Sequence, residues 1–129
     1  MMHSKFLASL AIVFMSTVSA VDTPAAPTPN PAAAPWTGPY GGVPPFDKIK
    51  PAHLKPALEA GMAEQLAAID RITAERAPPT FENTLAALER SSRTLDRALT
   101  AYGVYVTTMN DTQVQAIERE MEPKLAAFS

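Results

Sequence analysis

The sequence predicts an all-α fold for residues 46–129: an elongated antiparallel helical hairpin followed by a third, kinked helix. Three observations carry this. Apolar residues recur at steps of three and four in three separate runs. The runs are parted by breakers, Ala77-Pro78-Pro79 and Asn110-Asp111-Thr112. Good helix-opening residues, Pro51, Thr80 and Thr112, stand where each run begins.

The first helix is expected to open at Lys50-Pro51, since proline suits an opening turn, with a possible restart at Lys55-Pro56, and to run to about Glu75. Leu54, Leu58, Met62, Leu66, Ile69 and Ile72 fall on one side of a 3.6-residue period and turn Glu59, Glu64, Gln65, Asp70 and Arg71 toward water. Pro78 and Pro79 end it, because the residue before a proline disfavours αR and neither ring nitrogen can donate.

Thr80 is a suitable N-cap for the second helix, its hydroxyl placed to accept from Glu82 or Asn83, with the Glu82 carboxylate near the positive end of the dipole. Phe81, Leu85, Leu88, Ser92, Leu95, Leu99, Tyr102, Val106 and Met109 alternate steps of four and three, the spacing of an a/d seam. One helix from Phe81 to about Met109 would span roughly 43 Å, longer than a globule of this size, hence the elongated shape. Ser92 interrupts the seam, where a small residue lets a partner helix approach, and Gly103 weakens the distal end.

The third helix opens at Asn110-Asp111-Thr112, with Thr112 and Gln115 at capping-box spacing, and lines up Val114, Ile117, Met121, Leu125 and Phe128. Pro123 should kink or restart it near Glu122. The chain stops on this apolar face at Phe128-Ser129, which reads as an unfinished element.

Two segments precede the helices. Residues 1–20 read as a secretory signal peptide: Lys5, an apolar run from Phe6 to Val18 of roughly 13 residues, then small residues before cleavage after Ala20. That run is short of the ~20 residues a spanning helix needs, so no stable membrane anchor is expected after cleavage, and the product is exported to a periplasm or medium. Residues 21–45 carry Pro24, Pro27, Pro29, Pro31, Pro35, Pro39, Pro44 and Pro45 among Ala, Thr and Gly, and read as an extended or disordered linker. Trp36 and Tyr40 are expected to dock its end onto the folded part, with a partner-binding motif as the alternative.

Composition narrows function. With 129 residues the chain holds one modest domain. A net charge of −2 and scattered basic residues leave no electropositive face for nucleic acid. Absence of cysteine removes disulfides, thiolate zinc sites and cysteine nucleophiles. Of the two histidines, His3 lies in the leader and His53 is expected to be a surface or capping residue within reach of Asp47 or Glu59. Glu118, Glu120 and Glu122 alternate on one helix and diverge, a solvated face rather than a metal site. There is no HExxH, GxSxG or P-loop, so no catalytic, cofactor-binding or metal-ligating residue is assigned.

The runs PPFDKIKPAHLKPALEAGMAEQLAAID (44–70), PTFENTLAALERS (79–91) and QAIEREMEPKLAA (115–127), in that order, resemble the N-terminal region of peptidyl-dipeptidase Dcp and oligopeptidase A type zinc metallopeptidases, the thimet oligopeptidase family. The resemblance implies a two-lobed, all-α peptidase of several hundred residues whose N-terminal helices form part of a wall beside a deep channel for short peptides. It places the zinc, bound by HExxH and a downstream Glu, in a C-terminal half that this sequence does not include. Tyr102 and Tyr105 do not stand for that family's substrate-binding residues. The implied partner is the missing catalytic lobe, and the chain alone is expected to bind no zinc and cut no peptide. The rival reading is a free-standing exported helical adaptor without catalysis.

Overall fold

The computed structural model describes residues 29–129; the expected signal peptide and the first part of the linker lie outside the described residues. A short 3₁₀ turn at Pro39–Gly41 precedes α1 (Pro51–Thr73), a π-helical segment (Phe81–Ala86), α2 (Ala87–Ser91), α3 (Arg93–Thr108) and α4 (Thr112–Phe128). Among the described residues there is no strand, only an isolated antiparallel bridge between Thr37 and Val43.

α1 runs unbroken through Pro56. The carbonyl that Pro56 leaves without a donor is that of Ala52, an exposed residue, so water can satisfy it. His53 closes the first turn, its Nδ1 accepting from the Lys50 amide at 3.1 Å. The expected apolar side is buried only at its start: Leu54 and Leu58 are inaccessible, Met62, Ile69 and Ile72 are partly covered, and Leu66 is exposed. Ala57 and Gly61, small residues outside the expected stripe, are buried beside the leucines.

α3 lies antiparallel on α1: Gly61 meets Leu95, while twelve residues earlier in the chain the carbonyl of Ile49 accepts from the Tyr105 hydroxyl at 2.7 Å. A Cβ added at Gly61 would stand 2.7 Å from the Leu95 Cα, so glycine sets how closely the two backbones cross. α4 runs back along α1 in the same direction, with Lys55 bonded to Glu120 and Lys124 bonded to Glu59 at 2.7 Å. Val114 and Met121 are fully buried, and Ile117, Leu125 and Phe128 pack against the same core, as the spacing required. Asp111 rather than Thr112 supplies the cap, its carboxylate accepting from the amides of Gln113 and Val114. Pro123 sits within α4, which does not restart; the carbonyl it frees belongs to exposed Arg119.

The second helix departs most from the expected single rod. Thr80 caps it as expected, accepting from Asn83, but the chain first winds as a π-helix, then as α2, and breaks at Ser92. A π turn takes up an extra residue and rotates the side chains relative to an α-helical register. The expected seam is split accordingly. Of its distal half Leu95 and Tyr102 are buried, joined by Ala98, Ala101 and Tyr105, and Val106 is partly covered, while Leu99 and Met109 are exposed. Its proximal half, Phe81, Leu85 and Leu88, faces outward. The small polar residue against the core is Ser91, whose hydroxyl donates to the Leu88 carbonyl at 2.6 Å; Ser92 instead bonds Asp96. Gly103 does not shorten the helix, which continues to Thr108.

Part of the stretch expected to be an extended or disordered linker is a strap docked on the bundle. Asn30 folds back on itself, its side chain accepting from the Ala32 amide and donating to the His53 carbonyl. Ala32 is completely buried, and the Ala33 carbonyl accepts from Arg97 Nε at 2.8 Å. Proline removes donors but leaves carbonyls, and here side chains of the bundle supply the donors that a sheet or helix would have supplied. Trp36 is half-covered beside the α3 residues Arg93 and Arg97, as expected, whereas Tyr40 at the tip of the Gly-rich turn is fully exposed.

Candidate functional site

Two features stand out, a polar seam between α4 and its neighbours, and an open groove at the other end. In the seam, Glu120 accepts from both Lys55 and Lys124, and Lys124 also reaches Glu59. The hydrogen bond from Lys55, reinforced by that from Lys124, holds the Glu120 carboxyl below the usual carboxylate range, and the Glu59 contact raises Lys124. These groups are exposed, so the network is screened by solvent and acts as a peripheral clasp. Glu122 accepts from the Tyr102 hydroxyl at 2.9 Å. Burial first, then this hydrogen bond and the charges of Glu122 and Glu118, push the Tyr102 phenol well above its ordinary range.

The carboxylates considered from sequence are therefore placed apart: Glu120 toward α1, Glu122 toward α3, and Glu118 against Asn110. His53 spends one ring nitrogen on the Lys50 amide, and Glu59 turns to Lys124 rather than to His53. Among the described residues no group of three or more His, Asp or Glu could hold a metal ion. The donors among the described residues do not fit a zinc site. The Tyr102–Glu122 and Tyr105–Ile49 contacts were not foreseen; the four-three spacing includes Tyr102 but not Tyr105, and it carries nothing about a partner so far along the chain.

The groove, about 650 Å³, lies between the C-terminal half of α1 and the opening of the second helix. Ala68 and Ile72 line one side, Ala87 and Ser91 the other, with Arg71 and Glu64 at its edge. Its polar groups are largely engaged: Arg90 pairs with Glu82 at 2.7 Å, and Asn83 closes the cap by donating to the Pro78 carbonyl. Of the hydroxyl residues lining the groove, Ser91 donates to the Leu88 carbonyl and Thr80 Oγ1 accepts from the Asn83 amide. The arrangement can cradle a chain segment.

Comparison with known proteins gives this architecture a context. No family model matches the chain. Dipeptidyl carboxypeptidase of Salmonella typhimurium is 33% identical over 86 residues, 67% of this chain and 13% of that protein. The Escherichia coli dipeptidyl carboxypeptidase is 31% identical over 102 residues, 79% of this chain and 15% of that protein. The chain is homologous to a region of these peptidases. Oligopeptidase A of Salmonella typhimurium is 28% identical over 87 residues, 67% of this chain and 13% of that protein. The chain thus spans about one seventh of the length of the curated relatives it matches, and it is similar to a region of the dipeptidyl carboxypeptidases and oligopeptidase A.

Proposed function

We propose that these residues are the N-terminal scaffold and channel-wall part of an exported zinc metallopeptidase that hydrolyses oligopeptides, either releasing dipeptides or cutting internally. The observation that carries the reading is the homology to peptidases along most of this chain but only a small share of theirs. A helical clasp with buried tyrosines, and without a metal-holding cluster among the described residues, suits a wall. Zinc, on this reading, is held by residues of the remaining lobe, short peptides are the substrates of the assembled enzyme, and the partner of this region is that lobe. Export rests on the Met1–Ala20 leader, and among the described residues no helix is long and apolar enough to cross a membrane.

The test is to extend the coding frame past Ser129 and express both products. The longer polypeptide should hydrolyse short peptides in a chelator-sensitive way and appear in the periplasm or medium with Val21 at its N-terminus. The 129-residue chain should bind no stoichiometric zinc and turn over nothing. Chelator-sensitive turnover by the shorter chain would overturn the reading. The rival, a helical adaptor, draws on the outward apolar residues Phe81, Leu85 and Leu88 and requires a native mass that ends at Ser129.

A further inference from the structure

The strap carries a turn that is built at a conformational cost. Thr37 and Val43 form an antiparallel bridge, the Val43 amide donating to the Thr37 carbonyl at 3.4 Å and the Gly42 amide to the Pro39 carbonyl at 3.1 Å. A Cβ at Gly42 would stand 2.7 Å from the Trp36 carbonyl carbon, so glycine lets the returning chain lie against Trp36. Between them Tyr40 is held at φ 58°, a left-handed conformation that a bulky residue rarely adopts, with its ring fully exposed. Backbone held in this way gathers where a fold positions a ligand. The turn borders a pocket of about 490 Å³ between the strap and α3. Pro35, Trp36 and Gly41 supply its strap side, and Arg93, Asp96 and Arg97 its helix side.

Arg93 and Arg97 stand four residues apart on α3 and so share one side of it. Arg97 spends Nε on the Ala33 carbonyl at 2.8 Å and one terminal nitrogen on Thr94 Oγ1 at 3.2 Å, which fixes its plane and leaves further N–H groups to donate. Arg93 is exposed, and the ion pairs among the described residues engage Lys55, Arg90 and Lys124 instead. The Asp96 carboxylate accepts from the Ser92 hydroxyl at 2.7 Å. Two guanidinium groups against this one carboxylate leave the lining with one positive charge in excess. We infer that the pocket binds a small carboxylate with an apolar body, its charge on Arg93 and Arg97 and its body against Trp36 and Pro35. A guanidinium fork meets a carboxylate through two parallel hydrogen bonds, and an indole face covers an aromatic or aliphatic body. Phosphate also fits such a fork, but its second negative charge would stand against Asp96 with nothing in the lining to neutralise it. Because Arg93 is exposed, water and salt screen its attraction, and the affinity belongs in the millimolar range. The site is complete within the strap and α3, and it is independent of the peptidase reading.

Trp36 is the only tryptophan of the chain, so its fluorescence reports this pocket directly. Titration of the 129-residue chain with 3-phenylpropionate should give a saturable change with half-saturation at millimolar concentration, moving higher as sodium chloride is added. The uncharged 3-phenylpropionamide, with the same body, should give no saturable change over that range. Arg93→Gln should weaken binding of the acid about fivefold or more while leaving the thermal midpoint where it was, since this exposed side chain enters none of the ion pairs that fasten the helices. A parallel titration with acetyl-glycyl-phenylalanine separates a carboxyl group that ends a polypeptide from a free acid, the tighter of the two naming the source. Equal response to acid and amide would reduce the pocket to an apolar slot and overturn the inference, as would unchanged binding by Arg93→Gln. Displacement of the acid by a lower concentration of inorganic phosphate, at matched ionic strength, would overturn the carboxylate assignment. A response that stays linear up to about 50 mM acid would overturn the site itself.

Discussion

The two ends of the α1–α3 pair are built differently. At one end, the start of α1 is gripped from three sides: Leu54 and Leu58 are inaccessible, the strap buries Ala32, and α4 contributes Val114 and Met121. Tyr105 and Arg97 bond carbonyls of the preceding chain there, so few polar groups are left open. At the other end the later turns of α1 keep Leu66 exposed, and the π segment with α2 frames a groove and turns its large apolar residues outward. The same residue type, leucine at helical spacing, thus holds the fold at one end and stands exposed at the other. Periodicity reports amphipathic helices; it does not report which stripes have partners within the same stretch of chain.

The largest effects should come from the gripped end. Leu58→Ala removes a fully buried side chain between α1 and its neighbours and should cost about 2–5 kcal/mol, against well under 1 kcal/mol for Leu85→Ala, an exposed position. Urea denaturation of the 129-residue chain measures both. Comparable losses would dissolve the distinction between the two ends and show that Leu85 is covered in solution.

Next in size is the crossing of α1 and α3. Gly61→Ala places a methyl 2.7 Å from the backbone of Leu95, and backbone cannot swing aside as a side chain can. The helices must separate, and overpacking of this kind costs about 1–3 kcal/mol, well beyond the gain in helix propensity from replacing glycine. Gly103→Ala is the matched control: it lies within α3, and no neighbouring atom would meet its added methyl. That change should stabilise by a few tenths of a kcal/mol up to about 1 kcal/mol. If both substitutions move the thermal midpoint in the same direction, close approach at Gly61 is not what sets the geometry.

How much of this was legible beforehand follows from the range of each interaction. The face of α4 and the Thr80 cap are written within a few residues of themselves, and both stand as expected apart from the one-residue shift of the last cap from Thr112 to Asp111. Pro56, a possible restart, and Pro123, expected to kink or restart its helix, lie inside helices that run on through them, because each frees a carbonyl on an exposed residue, where water serves. The split seam was not legible: a π turn and a break at Ser92 shift register without changing spacing, so Phe81, Leu85 and Leu88 looked continuous with Leu95. Nor was the strap, since proline-rich composition speaks against packing, while one buried alanine and the Asn30 and Arg97 bonds supply it from far along the chain.

The smallest effect near neutral pH is set within the gripped end itself, where Tyr102 joins α3 to α4 through Glu122. Tyr102→Phe removes one hydrogen bond to a carboxylate that still reaches water, and should cost about 1 kcal/mol. Its sharper signature is alkaline. In the unfolded chain the phenol ionises near its ordinary value of 10.0, whereas burial and the Glu122 carboxylate keep it protonated to higher pH in the folded protein. Above that ordinary value the folded state therefore holds a proton that the unfolded state has lost. Stability contributed by Tyr102 is intact below about pH 10 and drains away as pH rises toward the folded value. Thermal midpoints of the wild-type chain should fall on this alkaline limb more steeply than those of Tyr102→Phe, so that the two curves converge as pH increases. Parallel curves would mean that the phenol titrates alike in both states and that the Tyr102–Glu122 contact does not hold the gripped end together.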